Sequence, residues 1–242
     1  MTRIDVHGAF WAGVALTAAT LIAQAFAQTP TDKPRVPPGV DPGGVAVAII
    51  GSGIDYTNPE IAKRLARDGE GEIIGWDFID NDRRPYATCA PPGSGTVCHL
   101  LQLVTLIEAK PLIRIAPFRA SLANPQSLVA SVQAIARTDI RIVALMLDPP
   151  PPHAFLLDAA KRFPALAFVG SVAEPENPAT TSGNVIAIPA VALSAGDNLG
   201  DMPSRANFVT AAVATLAAQC TTSRATPPEV IACTTALAGL RQ

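Results

Sequence analysis

The chain has 242 residues, of which 49% are hydrophobic, and this is enough for one sizeable core in one domain. The formal net charge is −2, and only 16% of the residues are charged and 5% aromatic. Nucleic acid is therefore not expected as a partner, because no basic run could neutralise a row of phosphates and few rings could stack on bases.

The first 27 residues have the pattern of an export signal. A short polar start precedes an apolar run over residues 9–23, and Ala25-Phe26-Ala27 matches the small-x-small pattern of a cleavage site. The run is short for a bilayer span of about 20 residues, so cleavage is favoured over an uncleaved anchor. We predict a signal peptide over 1–27 and an exported mature protein, periplasmic or secreted, without membrane association after cleavage.

The rest of the chain predicts one α/β domain. Residues 28–43 are polar and rich in proline, which indicates a linker or an extended arm ahead of a domain over 44–242. Strands are predicted over 45–50, 72–80, 111–120, 139–148, 165–173 and 184–191, and helices over 59–67, 96–109, within 121–137, 154–164 and 206–219. Apolar strands that alternate with helices predict a doubly wound, mainly parallel sheet with helices on both faces.

The turn after the first strand, Gly51-Ser52-Gly53, allows two interpretations. A dinucleotide-binding turn needs G-x-G-x-x-G at the start of a helix. Here Tyr56 stands at the third glycine position, and Thr57-Asn58-Pro59 separates the glycines from the predicted helix. A pyrophosphate would therefore lack the helix N-terminus that normally faces it, so this interpretation is disfavoured and no cofactor is expected.

The second interpretation draws on segments along most of the chain. Seven of them resemble, in order, segments of the subtilisin-like serine proteases: AIIGSGIDYTNPEI, IIGWDFIDND, PPGSGTV, IRIVALMLD, ALAFVGSVAE, NVIAIPAV and PSRANFVTAAVATL. The first is similar to the motif of the catalytic Asp, the third to the Gly-His-Gly-Thr segment and the last to the Ser-x-Ala helix that carries the nucleophile. The resemblance implies a subtilisin-like fold in a shortened form.

The resemblance also assigns the catalytic positions, and most of them are substituted. The Asp of the triad falls on Gly51, the His on Ser94 and the oxyanion-stabilising Asn on Glu174. Glycine cannot orient an imidazole, serine cannot accept a proton near neutral pH, and an ionised carboxylate would repel the developing oxyanion. Only Ser204 matches, as the candidate nucleophile. Ser204 can also be interpreted as a helix N-cap. Glu174 could equally be an exposed acidic residue of a loop.

Three further residues could replace the missing groups. His99 lies five residues after Ser94 on the predicted helix and would face a different direction. His153 stands in the DPPPPHAF segment and is interpreted as a solvated loop side chain. Asp55 is interpreted as a turn-forming residue. None of the three is favoured as a catalytic base or acid.

The cysteine content agrees with export. Four cysteines allow three pairings, and pairing of near neighbours is preferred because each pair then brackets one loop, Cys89 with Cys98 and Cys220 with Cys233. A zinc site is the alternative, but no Cys-x-x-Cys or His-x-His spacing supports it, so no metal is expected. A disulfide between Cys89 and Cys98 would hold Gly93-Ser94-Gly95 as a rigid loop, either for binding a partner or only as a structural staple.

The sequence thus predicts an exported, catalytically inactive subtilisin-like protein that acts as a module for binding a protein or peptide, or as a scaffold. A serine hydrolase or peptidase of altered mechanism, which uses Ser204 with an unidentified base, is the alternative. A binder of small molecules at the carboxyl end of the sheet is a third hypothesis, since open α/β sheets bind ligands there.

Overall fold

The computed structural model describes residues 33–88, 113–147, 149–173 and 184–189. Of the two units into which the chain divides, Met1–Lys33 and Pro34–Gln242, the second contains every helix and strand described below. The predicted signal peptide and the helices predicted over 96–109 and 206–219 lie outside the described residues. The boundaries predicted for the signal peptide, the proline-rich segment and the domain stay predictions.

Six parallel strands of the described chain form one sheet, in the order β2-β3-β1-β4-β5-β6. They are β1 (Val45–Gly51), β2 (Trp76–Asp77), β3 (Ile113–Arg119), β4 (Ile142–Met146), β5 (Ala167–Val172) and β6 (Val185–Pro189). After β1 the chain builds β2 and β3 on one side and then crosses to build β4, β5 and β6 on the other. This reversal confirms the predicted doubly wound, parallel sheet.

Three helices are described, α1 (Pro59–Ala62), α2 (Pro125–Ile135) and α3 (His153–Arg162). The first two begin in the same way: an asparagine side chain caps each one, and a proline follows the cap. Asn58 accepts from the N–H of Glu60 at 2.9 Å. Asn124 accepts from the N–H of Ser127 at 3.4 Å.

Two predicted elements are shorter than expected. The helix predicted over 59–67 ends at Ala62, because the chain then pairs with β3: the N–H of Ala66 donates to the carbonyl of Ile115 at 2.7 Å. The strand predicted over 72–80 is reduced to Trp76–Asp77, which pairs with the end of β3. In both cases hydrogen bonds to β3 set the length of the element, and β3 is distant in sequence.

The core has one layer on each face of the sheet, because successive side chains of a strand point to opposite faces. Val47 and Ile49 of β1 pack on one face with Ile61 of α1. Ala48 and Ile50 pack on the other face, together with the apolar sides of α2 and α3. Helices therefore cover both faces, as predicted, and the carboxyl ends of the strands meet at one edge.

Residues 34–43, from the proline-rich segment, lie along the domain as an extended arm. The hydroxyl of Tyr56 donates to the carbonyl of Pro34 at 2.8 Å. The guanidinium of Arg67 donates to the carbonyl of Pro37 at 2.7 Å. Both donors are buried and belong to the connection after β1, so the arm is fixed to the folded domain.

Asp41 fixes the end of this arm. Its carboxylate accepts from the backbone N–H groups of Gly43 and Arg67, each at 2.7 Å, and forms an ion pair with Arg114 at 2.6 Å. Burial alone would raise the pKa of Asp41, but these hydrogen bonds and the charge of Arg114 outweigh it and hold the pKa below its ordinary value.

We expect this carboxylate to make the stability of the protein depend on pH. Because the folded-state pKa is lowered, the contribution of Asp41 is fully present above its unfolded pKa of about 4 and is lost as the pH falls through the folded value. Urea unfolding between about pH 2 and pH 6 would measure the loss. Asp41→Asn should show a smaller dependence on pH, whereas Asp158→Asn, at an exposed ion pair of α3, should not. Equal pH dependence in wild type and Asp41→Asn would contradict the expectation.

Candidate functional site at the carboxyl edge of the sheet

Four residues form a row across the carboxyl edge of the sheet. Gly51 ends β1 and stands opposite Arg119 of β3 on one side and Met146 of β4 on the other. Arg119 in turn stands opposite Asp77 of β2. The row crosses the strand at which the winding reverses, and open α/β sheets bind their ligands at the carboxyl ends of the strands near such a reversal. This edge is therefore the candidate site.

Gly51 has no room for a side chain. A Cβ atom on Gly51 would lie 2.8 Å from the carbonyl oxygen of Met146, a separation that Cβ atoms essentially never show. The obstacle is the backbone of a neighbouring sheet strand, which cannot rotate away as a side chain could. The position that the resemblance gives to the triad Asp is thus closed to any side chain unless β1 and β4 move apart.

The glycine turn packs closely against the chain segment at Tyr86. Gly53 has a φ of +110°, and a Cβ atom there would lie 3.0 Å from the backbone carbonyl of Tyr86. Beside the turn, the N–H of Ile54 donates to the carbonyl of Pro85 at 2.9 Å, and the N–H of Ala87 donates to the carbonyl of Ile54 at 3.1 Å. Gly53 therefore serves the close approach of these two chain segments.

Tyr56, at the third position of the dinucleotide motif, is a fully buried core residue. Its ring lies 5.1 Å from the ring of Tyr86, and burial raises the pKa of Tyr56 to about 12. The helix that follows, α1, begins only at Pro59 and has four residues. Tyr56 therefore belongs to the core, and no helix begins directly at the glycines.

Arg119 joins three parts of the carboxyl edge. Its Nη1 donates to the carboxylates of Asp77 at 2.8 Å and Asp80 at 2.6 Å. Its Nε donates to the carbonyl of Ser52 at 3.0 Å. Arg119 therefore connects the end of β2 and the turn that follows it to the residue directly after Gly51.

The carboxylate of Asp77 is fully buried and fully engaged. Besides the bond from Arg119, it accepts from the backbone N–H groups of Ile79 at 2.8 Å and Asp80 at 3.0 Å. Burial alone would lower the pKa of Arg119, but the carboxylates of Asp77 and Asp80 outweigh it and raise that pKa above its ordinary value. A carboxylate held in this way is poorly placed to orient an imidazole in place of the missing triad acid.

The sequence alone does not predict the ion pair between Asp77 and Arg119. The available signals were an acidic residue next to Trp76 in a predicted strand and a basic residue at the carboxyl end of the apolar segment IRIAPFR. Neither signal identifies its partner, because the pairing depends on β2 lying beside β3 in the sheet.

His153 is not the solvated loop side chain that the sequence predicts. It is the first residue of α3, it is only 8% exposed, and its Nε2 is buried without a hydrogen-bond partner. The physical reason is the packing of α3: Leu156, Ala159 and Ala160 are buried against the sheet, and this draws the first turn of the helix inward.

The structure places one of the four predicted catalytic positions, Gly51. Ser94, Glu174 and Ser204 lie outside the described residues, as do His99 and the cysteines Cys89, Cys98, Cys220 and Cys233. The turn-forming role of Asp55 is confirmed, because its carboxylate accepts from the hydroxyl of Thr57 and, at 3.0 Å, from the N–H of Thr57. Within the described ranges, no group of three or more potential metal ligands occurs and no helix is long and apolar enough to span a membrane.

Comparison with known proteins finds similarity at the level of structure. No family model and no curated protein matches the sequence. The chain is similar to a cold adapted subtilisin-like serine proteinase, with a TM-score of 0.47 and 14% identity, over 81% of this chain and 83% of that one. It is also similar to a lanthipeptide protease, with a TM-score of 0.39 and 16% identity, over 59% of this chain and 47% of that one. Both similarities concern structure, and neither assigns a role to this chain.

Proposed function

We propose that the protein is an exported, catalytically inactive relative of the subtilisin-like proteases that binds a peptide or another protein. The observation that carries the proposal is the closure of Gly51 by the carbonyl oxygen of Met146. Where the proteases of the resemblance have the acid of their triad, this chain has neither a carboxylate nor space for one.

The chemistry of the triad explains why this loss matters. The acid holds the imidazole in the correct tautomer and stabilises its charged form, and removal of one triad member lowers the rate by several powers of ten. The carboxylates of Asp77 and Asp80 are bound by Arg119, and the carboxylate of Asp55 accepts from the N–H and hydroxyl of Thr57, so none of the three is placed as a replacement. Together with serine at position 94, this supports the absence of triad catalysis.

Binding is supported by the rigidity of the same edge. Arg119 fixes the carbonyl of Ser52 and the turn after β2, and Ser52 itself is exposed. A surface that is already ordered loses little conformational entropy on binding a partner. A carboxyl edge that keeps its geometry but lacks its catalytic groups is thus suited to hold a peptide without cleaving it.

The proposal is tested by labelling with a fluorophosphonate, which reacts with activated serines. The folded mature protein should give the same background labelling as Ser204→Ala and should not cleave casein. An active subtilisin-like protease serves as the positive control for probe and substrate. Labelling that disappears in Ser204→Ala would overturn the inactive assignment and favour the hydrolase of altered mechanism.

Export is a separate part of the proposal with its own test. Cleavage after Ala27 should give a mature N-terminus at Gln28, which mass spectrometry of the protein recovered from the periplasm or medium would identify. Recovery of the intact chain from the cytoplasm would contradict export.

A further inference from the structure

The N-terminus of α3 is not capped by a side chain. The N-cap residue is Pro152, which has no hydrogen-bond acceptor on its side chain. The N–H of Phe155, the third residue of this ten-residue helix, donates to the carbonyl of Pro152 at 3.0 Å. The N–H groups of His153 and Ala154 have no partner within the helix and carry a partial positive charge. A negatively charged acceptor would form hydrogen bonds with these N–H groups and would also interact favourably with their positive charge.

His153 adds a buried polar atom at the same end of the helix. Its Nε2 has no hydrogen-bond partner, although the residue is only 8% exposed. Side chains of a helix lean toward its N-terminus, so the imidazole of this first helical residue is placed beside the uncapped N–H groups. Buried polar atoms are nearly always hydrogen-bonded, and a bound ligand is one way in which an unpartnered atom is completed.

This helix end lies at the carboxyl edge of the sheet. α3 follows β4, and the segment that leads into it is joined to the end of β5, where the N–H of Ala173 donates to the carbonyl of Pro151 at 3.2 Å. The uncapped helix end and His153 therefore lie at the edge of the sheet that also carries Gly51.

The charge of the surrounding residues decides which anion fits. Residues 149–156 read PPPPHAFL and contain neither lysine nor arginine. One helix end and one imidazole match the single charge of a carboxylate better than the higher charge of a phosphate, which proteins commonly bind with arginine clusters.

We propose that the N-terminus of α3 and the imidazole of His153 form a binding site for a carboxylate group of a peptide partner. The proposal rests on the peptide-binding function proposed above for its occupant. The carboxylate accepts a hydrogen bond from Nε2–H of His153 and from the N–H groups of His153 and Ala154 at the start of α3. An acidic side chain and the C-terminus of a peptide supply the same chemistry.

Acetate is the first probe, because it is the carboxylate alone. In ¹H–¹⁵N spectra of the imidazoles at constant ionic strength, acetate should shift the His153 signals in a saturable manner, and chloride should not. Pro152→Asp places a carboxylate of its own at the N-cap and should abolish the shift, whereas Pro152→Ala, which cannot cap, should keep it. Equal shifts with acetate and chloride, or a full shift in Pro152→Asp, would overturn the site.

Two pairs of peptides then distinguish the sources of the carboxylate. One pair has acetylated and amidated ends and differs by one Glu against Gln, and the other has no acidic residue and differs by a free against an amidated C-terminus. The member with the carboxylate should bind about tenfold more tightly in at least one pair, and Pro152→Asp should remove the difference. Equal affinity within both pairs would overturn the assignment to a peptide.

The two proposals fail in different ways. Labelling of Ser204 would overturn the inactive assignment and would leave the acetate response of His153 unchanged. Absence of that response would overturn the carboxylate site and would leave the labelling result unchanged. His153→Gln, which should lose the preference for the carboxylate peptide while remaining folded by circular dichroism, gives an independent check of the site.

Discussion

Restoring the acid at position 51 should destabilise the protein and should not create a protease. The Cβ atom of Gly51→Asp would collide with the carbonyl oxygen of Met146, and relief of such a collision within a packed sheet costs about 1–3 kcal/mol. The new carboxylate would also be buried at this row, which adds to the loss unless it finds a partner. Urea unfolding followed by circular dichroism measures the change in the free energy of unfolding.

Matched variants separate the two causes. Gly51→Ala introduces the Cβ atom without the charge and should show the steric part alone. Ser52→Asp places a carboxylate one residue further, at an exposed position, and should change stability little. Gly51→Asp combined with Ser94→His restores both missing members of the triad and should still not cleave casein. A stable double variant that cleaves casein would show that the edge of the sheet can reopen and would contradict the proposal.

The strands and their parallel arrangement could be predicted because they depend on local composition. β1 and β4 are runs of apolar residues, and such runs are typical of strands in a sheet that is buried on both faces. The lengths of α1 and β2 could not be predicted in the same way. Each is set by hydrogen bonds to β3, which lies about 40 or more residues away in the chain.

The features of the candidate site differ in the same way, because some depend on local sequence and others on contacts between distant segments. Gly51 was found through a resemblance of motifs, which is a property of local sequence. That its position is closed depends on the register of β1 against β4, and this register is a property of the sheet. His153 was placed wrongly in a solvated loop, because the prolines before it indicate a loop while its burial depends on the packing of α3.

The ion pair of Asp77 and Arg119 shows most directly how a pair that is distant in sequence holds the site. Arg119→Met should lower the free energy of unfolding by about 3 kcal/mol, because it removes the cationic partner of a carboxylate that is fully buried. Arg119→Lys should recover only part of the loss, since a lysine lacks the planar fork that reaches both Asp77 and the carbonyl of Ser52.

A double-mutant cycle shows whether this loss belongs to the pair. Asp77→Asn combined with Arg119→Met should be less destabilised than the sum of the two single variants, by about 1–3 kcal/mol, because the double variant leaves no uncompensated charge. Urea unfolding of the four proteins at neutral pH supplies the cycle. Additive losses would show that Arg119 acts through its bonds to Asp80 and Ser52 instead. Coupling of the expected size would mean that a buried charge pair, which the local sequence does not reveal, fixes the chain beside Gly51. The pair would then also set the shape of the edge at which we propose that a partner binds.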